Sequence, residues 1–340
     1  MRVTKILTGI SVTLTCAGAA LAQDSGARSI NTGGEKGAYH SLFCPPLPAA
    51  LSNAYFQGYT CTPSKGTLEN IERVLKNPTS IGFVQLDVYA NEASKRQEEF
   101  RKLTVIRGDI ACEGLWLVTR NPDLGNYGHI LALSRRIPFI LPAQGSGSAA
   151  SFAFLQAHDP DGLGRVPEAN KRYVADATAV LNETASSTNG AVGFFVQFAD
   201  PENANIKLIV EKGLKVIPVA SRQVLHIKLD DRDIYQLQTF VLKEGGFGGL
   251  FVKPTEATTA CTAVAIITGA PEVFGKDRDK VDDQKDLIQK IRLVPAKELL
   301  PQESRIRIIL EKTRRVAGQA MEEMEALAEK IRQTAEERTH

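Results

Sequence analysis

The chain has 340 residues, with 41 Lys and Arg against 39 Asp and Glu, a formal net charge of +2 with His neutral. So balanced a charge excludes a general nucleic-acid binder, which needs a basic face. There is no C-x-x-C, and the histidines (His40, His129, His158, His226, His340) are scattered, which argues against a structural zinc site.

Residues 1–22, "MRVTKILTGISVTLTCAGAALA", read as a secretory signal peptide: Arg2 and Lys5, an apolar stretch, then Ala20-Leu21-Ala22 before Gln23. The stretch is too short, and too rich in Thr, Ser and Gly, for a spanning helix. A buried N-terminal helix is the other reading. Cleavage after Ala22 is expected. The segment carries two basic and no acidic residues, so 41 and 39 become 39 and 39. Cys16 leaves with it, and Cys44, Cys61, Cys112 and Cys261 remain. An even number in an exported chain suggests two disulfides, and the sequence alone permits three pairings.

From about Ile30 to Ile291, strand-like and helix-like patterns alternate. "RSINTGG" reads as strand then loop, and "GAYHSLFCPPLPAALSNA" as a helix interrupted by Pro45, Pro46 and Pro48. "FQGYTCTPS" is a strand, and "GTLENIERVLKNP" a helix with Leu68, Ile71, Val74 and Leu75 on one face. "SIGFVQLDVYA" is a buried strand running into a helix; "LTVIRGDI" and "GLWLVTR" are two further strands. The alternation continues to "LKVIPV" and predicts an α/β architecture in which helices cover parallel sheets. Residues 301–338 are charged and helical in pattern, with Ala317, Met321, Met324, Ala328 and Ile331 on a 4-3-4-3 spacing. That fits a terminal helix lying on its own domain, or a short coiled-coil contact between subunits.

Two glycine loops, "NTGGEKGAY" and "PAQGSGSAAS", each follow a strand and precede a helix. Glycines let a ligand approach the main chain. Free N–H groups at a helix start attract an anion or carboxylate. Thr32, Ser146 and Ser148 add hydroxyls. Two such loops, more than a hundred residues apart, suggest two lobes facing across a cleft. Neither loop has the spacing of a G-x-S-x-G elbow, a P-loop or G-x-G-x-x-G. Arg107, in "VIRGDI", has the chemistry to pair with a carboxylate solute or to form a surface salt bridge. Glu69 and Asn70 read as a helix cap and surface pair.

In combination, "INTGGEKGAYHSLFCPPLPAAL", "SKGTLENIERVLKNPTSIGFVQLDVYA" and "PAQGSGSAASFAFLQ" resemble successive motifs of the TAXI group of TRAP-transporter solute receptors. That family shows a T-G-G-x-x-G-x-Y/F loop, an S/T-x-x-S/T-x-E-N-L segment, an F-x-Q-x-D-x-A segment and a G-x-x-G-S-G-T loop. The likeness covers most of residues 30–218. Ser148 stands where the family commonly has Thr, Cys44-Pro45-Pro46 is unusual, and 225–258 and the tail after 301 match nothing in the pattern.

The resemblance implies a periplasmic binding protein of two α/β lobes joined by a two-crossing hinge, with a long C-terminal helix. Lobe 1 would be 24–122 plus 258–340, including the extension at 301–338, and lobe 2 would be 123–257. A small, carboxylated solute, an amino acid or dicarboxylate, would lie between them and pass to a membrane permease, with no chemistry and no cofactor or metal. Thr32, Gly33, Gly34, Tyr39, Ser64, Thr67 and Gln85 would hold it from one side, and Gly145, Ser146, Gly147 and Ser148 from the other. A monomer is expected, with a dimer through the C-terminal helix as the other reading. In this two-lobe reading Cys44 pairs with Cys61 within lobe 1, and Cys112 with Cys261 where the outgoing and returning strands run side by side. An ABC-type binding protein, a sensory receptor and an exported enzyme on the same scaffold are the alternatives.

Overall fold

In a computed structural model of the chain, the described residues are 28–299 apart from 36, 53–55, 230–231 and 246–252. The expected signal peptide at 1–22 and helical tail at 301–338 lie outside them.

The first lobe opens with β1 (Ser29–Asn31), a glycine-containing loop, one π-type turn at Tyr39–Phe43 and helix α1 (Pro46–Ser52). Pro46 begins α1, where a missing N–H leaves no bond unmade. The expected proline-interrupted helix is therefore two helical pieces. There follow β2 (Thr60–Thr62), α2 (Thr67–Lys76), β3 (Ile81–Gln85), α3 (Leu86–Lys95) and α4 (Gln97–Phe100). β3 is buried at every position, as a strand covered on both faces must be. α2 turns Ile71 and Val74 inward onto the sheet.

β4 (Leu103–Thr119) is one continuous strand where two were expected. Between Arg107 and Ala111 it bulges, so that 108–110 lie opposite Ala265 alone. The second lobe continues through α5 (Tyr127–Leu133), β5 (Phe139–Pro142), α6 (Gly147–His158), β6 (Lys171–Val174), α7 (Ala177–Ser186), β7 (Val192–Phe198), α8 (Ala204–Glu211), β8 (Lys215–Ile217) and α9 (Arg222–Leu225). The stretch that matched no motif forms β9 (Lys228–Leu229), β10 (Arg232–Asp233) and β11 (Tyr235–Lys243). The long β12 (Thr255–Gly269) returns to the first lobe, followed by α10 (Arg278–Leu293) and α11 (Ala296–Leu299).

Ten strands make one sheet in the order β2-β1-β3-β12-β4-β7-β5-β6, with β11 beside β12 and β8 beside β4. Pairing is parallel among β1, β2 and β3 and among β5, β6 and β7, and antiparallel along β4 and β12. Parallel strands thus build each lobe, and two long antiparallel strands run through both. β12 pairs with β11 up to Thr262 and with β3 from Val264 onward. At that changeover Cys112 of β4 and Cys261 of β12 are joined, and Cys44 is joined to Cys61 within the first lobe. Both bonds are the expected pairing.

The first lobe packs around Ile30, Phe43, Leu47, Phe83 and Ile291, and the second around Trp116, Leu181, Phe195 and Phe240. A third apolar cluster takes in Val84, Leu86 and Tyr89 from the first lobe and Phe139, Phe152 and Phe194 from the second. Among the described residues, no helix is long and apolar enough to cross a membrane.

Candidate functional site: the cleft between the lobes

In a parallel α/β sheet the ligand crevice forms beyond the carboxyl ends of the strands, because there the loops diverge and the helix N-termini converge. Here β1 leads to Gly33, β3 ends at Gln85, β5 leads to 146–148, and β7 runs to Gln197 and Phe198; all line one cavity of about 610 Å³. Three helices begin on it: α2 at Thr67, α6 at Gly147 and α8 at Ala204. Their first N–H groups suit an anionic or hydrogen-bond-accepting group.

Seven of the residues expected to hold a solute line this cavity: Gly33, Tyr39, Thr67, Gln85, Ser146, Gly147 and Ser148. Their local roles are specific. The Tyr39 ring packs on Phe83 with centroids 5.7 Å apart, and its hydroxyl donates to Glu113 Oε2 at 2.7 Å. Tyr39 thus packs into the first lobe's core and also lines the cavity. Thr67 Oγ1 accepts the Gln85 N–H at 3.1 Å and so locks the end of β3 to the start of α2. Ser146 caps α6 by accepting from the Ala149 N–H at 3.2 Å, and Ser148 Oγ accepts from the Val196 N–H at 3.0 Å. Gly147 faces Gln85 across the cleft so closely that a Cβ there would run into Gln85 Oε1.

The other five sit apart from the cavity lining. Thr32 is fully buried, its hydroxyl donating to the Thr62 carbonyl at 3.0 Å and meeting His40 Nδ1. Ser64 Oγ donates to Asn70 Oδ1 at 2.6 Å and lies 3.1 Å from the Thr32 carbonyl oxygen. Gly34 lies in the exposed part of its loop, and Gly145 turns the chain at φ +84 before α6. Arg107 is 9% exposed and spends its donors on Asp109 and on the carbonyls of Ile291 and Val294, tying β4 to the end of α10. Asn70, read as a surface residue, is buried and donates to the Thr32 and Phe83 carbonyls.

Sequence reasoning missed Glu113. It lines the cavity, is 7% exposed, and stands in β4 opposite Thr262 of β12 and Phe198 of β7. Burial pushes its carboxyl up to about 7; bonds from Tyr39 and Gln85 oppose the shift, and the neighbouring Asp87 adds to it. Asp87, fully buried at the head of α3, accepts from Tyr235 Oη at 3.0 Å and from its own helix at Val88, and burial raises its carboxyl too. On the second lobe's wall, Thr178 donates to Asn205 Oδ1 at 2.8 Å, and Asn205 donates to Gln197 Oε1 at 2.8 Å. Among the described residues, no group of His, Cys, Asp and Glu is arranged to hold a metal ion.

No family model and no curated protein matches the chain. Solved structures do. PhnD1 of Prochlorococcus marinus, in complex with methylphosphonate, matches over 80% of this chain and 86% of its own at 11% identity, with a TM-score of 0.44. A Candida albicans protein described as exhibiting the generic periplasmic binding protein structural fold matches over 80% and 78% at 12% identity, TM-score 0.41. The periplasmic VFT2 domain of Bordetella pertussis BvgS matches over 80% and 91% at 12% identity, TM-score 0.39. These are chains to which this one is similar; its own two-lobed α/β architecture is defined by the strand order above.

Proposed function

We propose that the protein is a periplasmic solute-binding receptor that closes two lobes on a small organic solute and hands it to a membrane transporter of the TRAP type, as a receptor of the TAXI group. The lobes are 24–122 with 258–340, and 123–257. The observation that carries this reading is the cavity itself. Glycine loops, helix starts and a strand-end glutamine from separate parts of the chain converge on one volume large enough for a small molecule. The two disulfides suit an oxidising compartment. The contacts assigned to the solute are Gly33, Tyr39, Thr67, Gln85, Ser146, Gly147 and Ser148. Thr32, Gly34, Ser64 and Gly145 shape the loops, and Arg107 is structural.

Native mass spectrometry of the exported protein, purified without denaturation, tests the reading. A single small solute bound in stoichiometric amount and released on unfolding is the expected result. A protein that carries no solute and gains no thermal stability from a small-molecule cell extract is not a receptor. Turnover of an extract component would instead favour the enzyme alternative, with the Glu113 carboxyl as its natural general base.

A further inference from the structure

Among the described residues, the charge that lines the cleft is the reverse of what a purely anionic solute requires. Glu113 and Asp200 line it, and among the described residues no Lys, Arg or His does. Glu113 is the more buried of the two acids and sits at the crossing of the lobes. The groups acting on it are Tyr39 from the π-type turn, Gln85 from the end of β3 and Asp87 from the head of α3: two neutral donors and a second acid. Its partners in register, Thr262 and Phe198, are neutral. An uncompensated buried carboxylate is costly, and the cost falls when a partner brings the opposite charge. A carboxylate has about four acceptor positions, so the bonds from Tyr39 and Gln85 leave room for another donor.

We propose that Glu113 is the recognition group for a positively charged nitrogen, so that the solute carries a primary or secondary ammonium seated on the acceptor positions of Glu113 that the Tyr39 hydroxyl leaves free. This rests on the solute-binding reading and narrows it: a plain dicarboxylate, with no cation to offer, leaves Glu113 unpaired. A solute with both an ammonium and an acidic end uses the whole cleft, the nitrogen at Glu113 and the acid at the helix starts.

The sign of the pH dependence follows. A cation favours the ionised carboxyl, which burial pushes up to about 7. Binding below pH 7 therefore releases a proton, and affinity climbs by up to about tenfold per pH unit until it levels off above 7. A solute that accepts a hydrogen bond from the protonated carboxyl gives the opposite slope.

The experiment uses the exported protein and a small-molecule cell extract in two forms, untreated and N-acetylated in bicarbonate so that amines lose their charge. Thermal shift is read with each, and calorimetry follows with the solute recovered from the untreated extract. Stabilisation by the untreated extract alone, an affinity that rises with pH, and a loss of at least tenfold in Glu113→Gln are the expected results. Equal stabilisation by the acetylated extract overturns the ammonium assignment while leaving the receptor reading intact. An affinity that is flat or falls with pH does the same. Stabilisation by neither extract overturns both. Should Glu113→Gln fail to fold, the pH slope of the native protein decides the question.

Discussion

Two buried charged residues, Glu113 and Arg107, behave in opposite ways. Arg107 is matched to its surroundings: Asp109 accepts two of its hydrogen bonds, and the Ile291 and Val294 carbonyls at the end of α10 accept two more. Arg107→Met should leave those carbonyls without a buried partner and destabilise the protein by roughly 2 kcal/mol, with solute affinity unchanged. A loss of affinity without loss of stability would return this residue to the binding site. Glu113 has no such match. Its folded carboxyl titrates at about 7 against an ordinary 4.5, so between those values the folded state holds a proton that the unfolded chain has lost. The stability this gives is present below about pH 4.5, fades as pH rises to 7, and stays lost above. Glu113→Gln has nothing to ionise. It should match the native protein near pH 4 and exceed it by up to about 3 kcal/mol at pH 8, as read from denaturant midpoints. A variant less stable at pH 8 would show that the carboxyl is compensated after all.

At the scale of elements, the cleft depends on where strands stop and helices start. α6 begins at Gly147 because Ser146 caps it, and it begins against Gln85 because no side chain intervenes. Gly147→Ala should force Gln85 aside and hold the lobes apart, weakening solute binding by about tenfold, or ~1.4 kcal/mol. Calorimetry with the native solute checks this; undiminished affinity would mean that the glutamine tip moves freely. Ser146→Ala removes the cap instead, with an expected cost of about 1 kcal/mol in stability. The Cys44–Cys61 bond, spanning 17 residues, fixes the end of the π-type turn to β2. In the chain-entropy picture it contributes about 3 kcal/mol. It thereby steadies the turn that carries Tyr39.

For the whole molecule, β4 and β12 are the only described strands that run through both lobes, and the Cys112–Cys261 bond lies where they change partners. With 149 residues between the two cysteines, removing it should cost up to about 5 kcal/mol. Lobe closure is the larger expectation. Phe43 of the first lobe meets Phe198 of the second edge-on, 5.4 Å between centroids, so the lobes touch on the cleft side. The apolar cluster shared by α3 and α6 limits how far they part on the other. Small-angle scattering should show a smaller radius with the native solute than without it. An identical radius in both states, with binding confirmed, would mean a preformed cleft that does not hinge.

The sequence by itself determined the local elements and the loops. Glycine spacing in "NTGGEKGAY" and "PAQGSGSAAS", the one-sided apolar face of α2 and the apolar run that opens β3 are all short-range patterns, and short-range sterics and burial decide them. The cysteine pairing followed once two lobes were assumed. Only the tertiary structure decided the rest. The sequence reads as two strands, "LTVIRGDI" and "GLWLVTR", parted at 111–113, yet β4 runs through, because those three residues pair in register with Val264, Ala263 and Thr262 of β12. Glu113 is a single acid in a strand with no motif around it. It reaches the cleft because β4 is in register with β12 and β7, whose pairing residues lie 85 or more positions away in the chain. Asn70 and Tyr235 are likewise unremarkable in their own segments, and acquire partners, Thr32 and Asp87, only when distant segments meet. Side-chain periodicity reports which face of an element is buried. It carries no record of what the opposite element places there, and that pairing is what sets the charge of the cleft.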